Sequence, residues 1–433
     1  MDYHKEVFPN GLRLVTIPMP SVKSVTVLIL VGTGSRYETR KINGISHFLE
    51  HMVYKGTKRR PNAIDIPSEI EGFGGAWNAF TAKDHTGFYI KAANNHLEHI
   101  FDILSDVLLH SLMKEEEIEK EKGVIVEEIN MYEDTPMQKV GEVFDELLYG
   151  DVPMGWDIAG SPETVRSFNR DTFVNYWQKQ YTPSNMVIAV AGGVDAVRSK
   201  IKDQKSKVTE LTEKYLGEWK NGKSVTFERA KIQQNGPRVK IKSKKTEQAH
   251  MCLGVPAYPL DHPDRYNLGM MTAILGGGAS SRLFDEVREK RGLAYYCRSN
   301  NDQYPDVGEF VTQSGVVLSK IDEAIKVIIE QFYLLSENKR PIKRDELTRA
   351  KELLKGHLIL SLEDSRNVAG MYGGDELIEG EIRTPEEIIK KIDQVTAENI
   401  VRVAGDLFRK DKLNLAIIGP YEDGERFNKL LKL

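Results

Sequence analysis

The sequence has few cysteines, no long apolar run and almost no net charge. Its two cysteines, Cys252 and Cys297, cannot form a disulfide framework in 433 residues, and this scarcity favours a reducing compartment. The longest apolar runs, such as that at 25–31, are far shorter than the roughly 20 residues of a membrane helix. With 60 basic and 64 acidic residues, the net charge of −4 argues against nucleic-acid binding and against a disordered polyanion.

The N-terminus shows neither the basic and apolar segments of a signal peptide nor the Arg- and Ser-rich leader of a transit peptide. We therefore expect a cytoplasmic protein without a membrane span. At roughly 150 residues per domain, the length gives about three domains as a first expectation.

Strand-like and helix-like patterns alternate along the chain. Alternating or β-branched apolar residues at 10–18 and 25–31 predict strands. Apolar residues at three- and four-residue spacings predict helices at 44–54, 96–112 and 115–132. This mixture predicts an α+β fold.

An internal repeat revises the expected number of domains. The segments 161–165 and 384–388 are similar, and each opens a helix with an N-cap residue followed by proline. Each helix is followed by a similar apolar strand that ends before a glycine, Gly192 or Gly419. The prolines are 223 residues apart and the glycines 227, so the two matches agree closely. The repeat therefore predicts two similar domains.

We place the first domain at 1–220 and the second at 241–433. A lysine-rich stretch with glycine and asparagine, from about 200 to 237, is the natural join, and we place the linker at 221–240. A solvated helix and a surface loop explain its charge without a binding function.

The most informative motif is His-Phe-Leu-Glu-His at 47–51, inside the predicted helix at 44–54. At about 100° per residue, His47 and His51 are roughly 40° apart, and Glu50 lies roughly 60° to the other side of His47. All three side chains can therefore face one point. Two imidazoles one turn apart suit a tetrahedral Zn²⁺, and a carboxylate beside them can take a proton from water. Coincidental surface histidines would not explain so apolar a helix.

The helix predicted at 115–132 offers a third ligand. Its apolar residues cover one arc, and Glu121 and Glu128 lie inside that arc whereas Glu127 lies outside it. Buried carboxylates are costly unless a cation neutralises them, and a metal ion would do so. This favours Glu128 as a ligand and Glu121 as its support. The alternative is a charged helix with a wide polar face.

Three neighbouring segments carry a resemblance to a known family. They are Gly-Ser-Arg-Tyr-Glu at 34–38, Gly-Ile-Ser-His-Phe-Leu-Glu-His-Met at 44–52 and Lys-Gly-Thr at 55–57. Together they resemble the signature of the inverzincin zinc peptidases, which include pitrilysin, insulin-degrading enzyme and the mitochondrial processing peptidase. The similarity covers nearly the whole chain, and the length fits the short two-domain branch near the processing peptidase's catalytic subunit and its bacterial relatives.

The resemblance implies roles for two glutamates. In that family the third zinc ligand follows the motif at a similar distance, and here 76 residues separate His51 from Glu128. Glu128 therefore matches the third ligand. Glu121 matches the family's accessory glutamate, one heptad earlier.

The resemblance extends to segments that hold substrate in such enzymes. Gly-Gly-Ala-Trp-Asn-Ala-Phe-Thr at 74–81 is similar to their substrate-binding edge strand. The implied peptide contacts are Gly75, Ala76, Trp77, Asn78, Ala79 and Phe80. The segment 287–295 resembles one in which an arginine and a tyrosine reach to the zinc domain, which implies Arg288 and Tyr295. Alone, an amphipathic helix ending at a glycine would explain that segment.

We therefore predict a zinc endopeptidase with one Zn²⁺ per chain on His47, His51 and Glu128, and with Glu50 as the base. The resemblance implies two homologous α+β domains, each a mostly antiparallel sheet packed with helices, that face each other as half-shells. Peptides or unfolded leader segments would bind as an added β-strand, mainly through backbone hydrogen bonds. We expect no nucleic-acid partner, and a homodimer is compatible with the family.

Two other functions stay open. Some relatives of the processing peptidase are non-catalytic core subunits of a respiratory complex, so one alternative is a scaffold. The other is the zinc-bearing subunit of a heterodimeric processing peptidase. The ligands and the base argue against the first alternative, and Arg288 and Tyr295 argue against the second.

Three further features carry weaker signals. His96 and His99 are one turn apart without an evident third ligand, so surface histidines explain them. The glycine-rich segment 276–281 lacks the Gly-Lys-Ser/Thr of a P-loop, and we expect a flexible turn. Cys252 and Cys297 have no metal-binding spacing and are expected to be buried thiols.

Overall fold

The computed structural model describes residues 1–194, 205–222 and 225–431. The chain forms two compact units, each with one β-sheet and several helices, which confirms the α+β class. The first unit comprises Met1–Ile129, Asp157–Glu228 and Ile359–Pro385, and the second comprises Asn130–Trp156, Arg229–Leu358 and Glu386–Leu433.

The domain boundaries expected at 1–220 and 241–433 stay a prediction. Residues 223–224 of the expected linker, and 200–204 of the lysine-rich stretch, lie outside the described residues.

In the described part of the chain, the strands are β1 (His4–Val7), β2 (Arg13–Pro18), β3 (Ser24–Val31), β4 (Ala76–Thr81), β5 (Thr86–Ala93), β6 (Met186–Gly192), β7 (Arg238–Ser243), β8 (Gln248–Ala257), β9 (Ala294–Gln303), β10 (Gly308–Val317) and β11 (Asn414–Gly419). The α-helices there are α1 (Ile45–Met52), α2 (Asp65–Gly72), α3 (Leu97–His110), α4 (Glu115–Glu133), α5 (Pro136–Tyr149), α6 (Pro162–Ser167), α7 (Arg170–Gln180), α8 (Lys207–Leu216), α9 (Arg265–Gly276), α10 (Ile321–Ser336), α11 (Arg344–Ser361), α12 (Ser365–Ile378), α13 (Pro385–Gln394), α14 (Ala397–Leu407) and α15 (Gly424–Leu431).

The sheet of the first unit has the strand order β1-β2-β6-β3-β5-β4. β2 and β6 are parallel, and the other neighbouring pairs are antiparallel. β3 and β6 are apolar and buried because both of their faces are covered, whereas β4 lies at the edge and is partly exposed.

The sheet of the second unit repeats this plan in the order β7-β11-β8-β10-β9. Its parallel pair is β7 and β11, and its other pairs are antiparallel. Taken strand by strand, β7, β11, β8, β10 and β9 correspond to β2, β6, β3, β5 and β4. The strands that carry the sequence repeat, β6 and β11, therefore hold equivalent central places.

The predicted helices and their N-terminal caps occur in the structure. The predicted helices at 44–54, 96–112 and 115–132 correspond to α1, α3 and α4. Pro162 opens α6 behind the N-cap Ser161, whose side chain accepts a hydrogen bond from the backbone of Thr164. Pro385 opens α13 at the equivalent place in the repeat.

A helix distant in sequence covers one face of each sheet. In the first unit α1, α3, α4 and α7 pack on one face, and α12 packs on β2, β3 and β6 from the other. Gly373 allows α12 to approach closely, since a Cβ there would lie 2.9 Å from the Cβ of Ala189. In the second unit α5 packs on β7, β8 and β11. Each sheet thus takes one covering helix from the opposite half of the sequence.

No helix among the described residues combines the length and the apolar character needed to cross a bilayer.

Candidate metal centre

Glu38 holds the N-terminus of α1, the helix that carries the His-x-x-Glu-His motif. Gly44, which precedes α1, has a φ of +97°, a conformation that favours glycine. Glu38 Oε2 accepts a hydrogen bond from the backbone N–H of Gly44, and Oε1 accepts one from that of Ser46, both at 2.8 Å. Burial raises the pKa of Glu38 to about 7. This carboxyl group satisfies helix N–H groups that the N-cap glycine cannot.

His47, His51 and Glu128 converge on one point in the first unit. His47 Nε2 lies 3.5 Å from Glu128 Oε1, and His51 Nε2 lies 3.7 Å from Glu128 Oε2. One ligand atom from each residue lies within 4.8 Å of the other two. In a tetrahedral zinc site with bonds of about 2.05 Å, the ligand atoms are about 3.4 Å apart. Donor types and spacing therefore fit zinc.

Glu121 lies behind His51, on the side away from Glu128. Its Oε1 is 2.9 Å from His51 Nδ1, and its Oε2 is 2.6 Å from Lys55 Nζ. Donation from Nδ1 to Glu121 leaves the lone pair of His51 Nε2 facing Glu128, as a metal ligand requires. Burial raises the pKa of Glu121, but the hydrogen bonds with His51 and Lys55 outweigh it, so the net shift is downward. Glu121 is therefore a carboxylate.

The carboxylates of this cluster favour a positive charge between them. Burial lowers the pKa of His47, but its hydrogen bond to Glu128 and the nearby carboxylate charges outweigh burial, so its pKa is raised. The same hydrogen bond lowers the pKa of Glu128. Both shifts show that the carboxylates favour positive charge at this point. Glu127, the neighbour that sequence periodicity excludes, is exposed.

Glu50 lies beside the two histidines and contacts the edge strand. Its Oε2 accepts a hydrogen bond of 2.6 Å from Thr81 Oγ1, at the end of β4. Burial raises the pKa of Glu50, and the charges of His47 and His51 only partly oppose this. A raised pKa makes this carboxyl group a better proton acceptor, as a general base requires.

β4 gives an open strand edge next to Glu50. The strand begins at Ala76, so Gly75 precedes it, and it occupies the end of the sheet. Ala76 and Asn78 are exposed, while Trp77 packs on Tyr54 at a ring-centroid distance of 4.7 Å. The predicted peptide-binding residues therefore include an edge strand, and their contact with a peptide stays a prediction.

Arg288 and Tyr295 lie together in the second unit. Arg288 belongs to the π-helix Phe284–Glu289, and Tyr295 lies in β9. The guanidinium carbon of Arg288 is 4.7 Å from the ring centroid of Phe284 and 5.4 Å from that of Tyr295. Tyr295 is 74% exposed, which leaves its hydroxyl available to a ligand. Their role in substrate binding stays a prediction.

The features with weaker signals have structural explanations. His99 Nε2 contacts Glu69 at 2.5 Å, and the ring of His96 stacks on Phe73. Both cysteines are buried, and burial raises the pKa of each thiol.

Sequence reasoning missed three residues around the motif. Glu38 caps α1, Lys55 pairs with Glu121, and Thr81 orients Glu50. Lys55 had a signal, because it lies four residues after His51, just beyond the end of α1 at Met52. Helical spacing gave no signal for Thr81 or Glu38. Both lie outside α1 and contact it only because the chain folds back on itself.

Comparisons with known proteins identify the family of the chain. The sequence matches the family described as "Insulinase (Peptidase family M16)" over residues 13–159, and "Peptidase M16 inactive domain" over residues 167–354. The first match contains His47, His51 and Glu128, and the second contains Arg288 and Tyr295.

Several bacterial proteins are similar along nearly all of their length. YmxG of Bacillus subtilis, named an uncharacterized zinc protease, is 38% identical over 95% of this chain and 97% of its own length. A Streptomyces coelicolor protein, also named an uncharacterized zinc protease, is 36% identical over 97% of this chain and 90% of its own.

Two solved structures share the fold. The crystal structure of a protease from Helicobacter pylori aligns with a TM-score of 0.88 at 26% identity, covering 97% of this chain and 99% of that one. A Pseudomonas fluorescens protein described as a peptidase M16 inactive domain aligns with a TM-score of 0.88 at 17% identity, over 98% of each chain.

The duplicated α+β topology and the matches over nearly the full length show that the chain has the two-domain M16 fold. The chain belongs to peptidase family M16, which confirms the resemblance read from the sequence.

Proposed function

We propose that the chain is a zinc-dependent endopeptidase that hydrolyses peptides or unfolded leader segments. The observation that carries this proposal is the convergence of His47, His51 and Glu128 beside the carboxyl group of Glu50. The relatives named zinc proteases support zinc as the metal. Each chain would hold one zinc ion, with Glu121 supporting His51.

Bound zinc would supply Lewis acidity toward water and toward the peptide carbonyl. Glu50 would accept the proton of the attacking water at Oε1, because Thr81 already donates to Oε2. The raised pKa of Glu50, a result of burial, suits it to pass this proton on to the leaving amine.

The peptide would add to β4 as a further strand. Backbone groups on the outer side of an edge strand can bond any extended peptide, so recognition would depend weakly on sequence. Arg288 and Tyr295 would also bind the peptide, Tyr295 as a phenolic donor to a carbonyl oxygen. The exposure of Tyr295 and its contact with Arg288 support this role.

A substitution that spares the ligands tests the mechanism. Glu50→Gln should retain about one zinc per chain and lose cleavage by a factor of about 100 or more, because the amide cannot accept the proton. Zinc is measured by atomic emission and cleavage with a mixture of fluorogenic peptides. Glu127→Gln is the matched control, because Glu127 is exposed on α4. Full activity in Glu50→Gln would refute the mechanism.

The same assay separates the proposal from its alternatives. Cleavage by the purified chain alone, abolished by a chelator and restored by zinc, supports a self-sufficient enzyme. Zinc binding without cleavage would favour the subunit of a heterodimeric peptidase, and the absence of zinc binding would favour a scaffold.

A further inference from the structure

A recess of about 280 Å³ opens on the face of the first sheet that α12 covers. α12 packs on β2, β3 and β6, and the recess lies beside it, toward the edge strand β4. The residues around it come from three strands and from one turn of α12, and they are Leu28, Phe80, Tyr89, Arg366, Asn367, Gly370 and Met371.

Strand alternation places this recess on the opposite side of β4 from the candidate metal centre. Thr81 contacts Glu50 on the α1 face, so Phe80 points to the α12 face. A peptide added to β4 would alternate in the same way. One set of its side chains would face the metal side, and the other set would face the recess.

The distance from the added strand to the recess favours a long peptide side chain over a short one. Tyr89 pairs with Asn78 across β5 and β4, so a peptide residue opposite Asn78 is two strand spacings, roughly 10 Å, from the backbone of Tyr89. Asn78 and Ala76 are short and exposed, and they leave the way across β4 open. A long side chain that lies over Asn78 extends toward the recess, whereas alanine or serine ends well short of it.

The lining favours an apolar side chain over a cationic one. Leu28, Phe80, Tyr89 and Met371 present carbon and sulfur surface. The guanidinium carbon of Arg366 lies 4.7 Å from the ring centroid of Tyr89, so a cation borders the recess. A lysine or arginine side chain of the peptide would meet this like charge.

We propose that the recess is a side-chain subsite that takes a long apolar or aromatic residue, such as phenylalanine, leucine or methionine, of a peptide bound along β4. This inference rests on the proposed function, because it requires a peptide on β4. The subsite would add a preference for the size and polarity of one peptide side chain to the recognition of the peptide backbone by β4.

Two glycines of α12 provide a matched pair of variants. A Cβ at Gly370 would have no heavy atom within 4 Å, so Gly370→Leu fits the helix while filling the recess. Gly374 is equally open, lies one turn further along α12 and does not line the recess. Gly374→Leu therefore controls for the change in helix propensity.

Binding is measured by fluorescence anisotropy in the Glu50→Gln background, so that labelled peptides stay intact. Peptide sets carry phenylalanine, alanine or lysine at one position, which is moved along the peptide. We expect phenylalanine to bind about 10-fold more tightly than alanine at alternate positions, with no gain for lysine. Gly370→Leu should reduce this ratio to about 2-fold or less, and Gly374→Leu should preserve it.

A second variant keeps the test independent of how well Gly370→Leu folds. Arg366 is exposed, so Arg366→Glu leaves the core intact, and it should make lysine bind more tightly than alanine at the same position. Equal binding of phenylalanine and alanine, or an unchanged ratio in Gly370→Leu, would overturn the subsite. Selective binding by a chain whose Glu50 is intact but which cleaves none of the bound peptides would keep the subsite and refute the peptidase.

Discussion

The two candidate histidine ligands differ in what lies behind their rings. His51 Nδ1 contacts the carboxylate of Glu121 at 2.9 Å, and Lys55 balances the charge of that carboxylate. His47 Nδ1 is buried, and no described residue provides it with a hydrogen-bond partner. A carboxylate behind an imidazole fixes its tautomer and raises its basicity. Of the two candidate ligands, His51 is therefore the one that has a carboxylate behind its ring.

Glu121→Gln should weaken zinc binding about 10- to 100-fold, because the amide keeps the size of Glu121 but loses the charge behind His51. Competition with a chelator of known zinc affinity measures the change. Glu119→Gln is the control, since Glu119 lies on the same helix with a side chain that is 63% exposed. Equal zinc affinity in both variants would show that Glu121 does not support the ligand.

At the residue scale, what the sequence predicts depends on how local the geometry is. His47, Glu50 and His51 lie on one helix, so a period of 3.6 residues brings them together without knowledge of the fold. Glu128 and Glu121 were predictable as a pair because both lie on the buried arc of α4. Thr81 was not, because its contact with Glu50 depends on where the edge of the sheet meets α1.

At the element scale, α1 depends on a cap from outside the helix. Glu38→Ala would leave the buried N–H groups of Gly44 and Ser46 without their acceptor, which should cost about 2 kcal/mol or more of folding free energy. Urea unfolding followed by circular dichroism measures this loss. Glu71→Ala, at an exposed position in α2, should change stability little.

The charge of Glu38 adds a pH dependence to this prediction. Its pKa in the folded chain, about 7, lies above the usual value for a glutamate, so protonation favours the folded state. This stabilisation is complete below the usual pKa and is lost as the pH rises through about 7. Glu38→Gln should remove that part of the pH dependence, and an identical pH profile in both proteins would contradict the assignment.

Helices and strands with strong periodicity were predictable as elements, whereas their partners were not. The apolar spacing of α1, α3 and α4 identifies each helix and its buried face. The pattern of α12 also marks an apolar face, with Val368, Ala369 and Tyr372 buried. Nothing in that pattern says which sheet the face covers, because many apolar surfaces satisfy the same spacing.

At the scale of the whole molecule, the sequence predicts that the domain is duplicated. It does not predict that each sheet is covered by a helix from the other half of the chain. Equivalent strand orders in the two sheets explain why β6 and β11 retain similar sequences. Each sheet is nevertheless completed by a helix from the other half of the chain, α12 for the first sheet and α5 for the second. Short connections are the usual expectation, so a sequence-based boundary assigns each helix to its neighbours in the chain.

Because α12 covers the first sheet but lies outside residues 1–220, we predict that the domain 1–220 defined from the sequence will not be stable alone. Without α12, the apolar face formed by β2, β3 and β6 is exposed to water, and contiguous apolar surface of that kind promotes association. Fragment 1–220 should aggregate or bind a hydrophobic dye and unfold without a cooperative transition. The first unit alone, with residues 1–129, 157–228 and 359–385 joined by long Gly/Ser linkers, should be monomeric and unfold cooperatively, because α12 again covers the sheet and α5, which packs on the second sheet, is left out. Light scattering and urea unfolding compare the two. A monomeric, cooperative fragment 1–220 would mean that α12 is dispensable for the first sheet, and the boundary near 220 would then mark an independent folding unit.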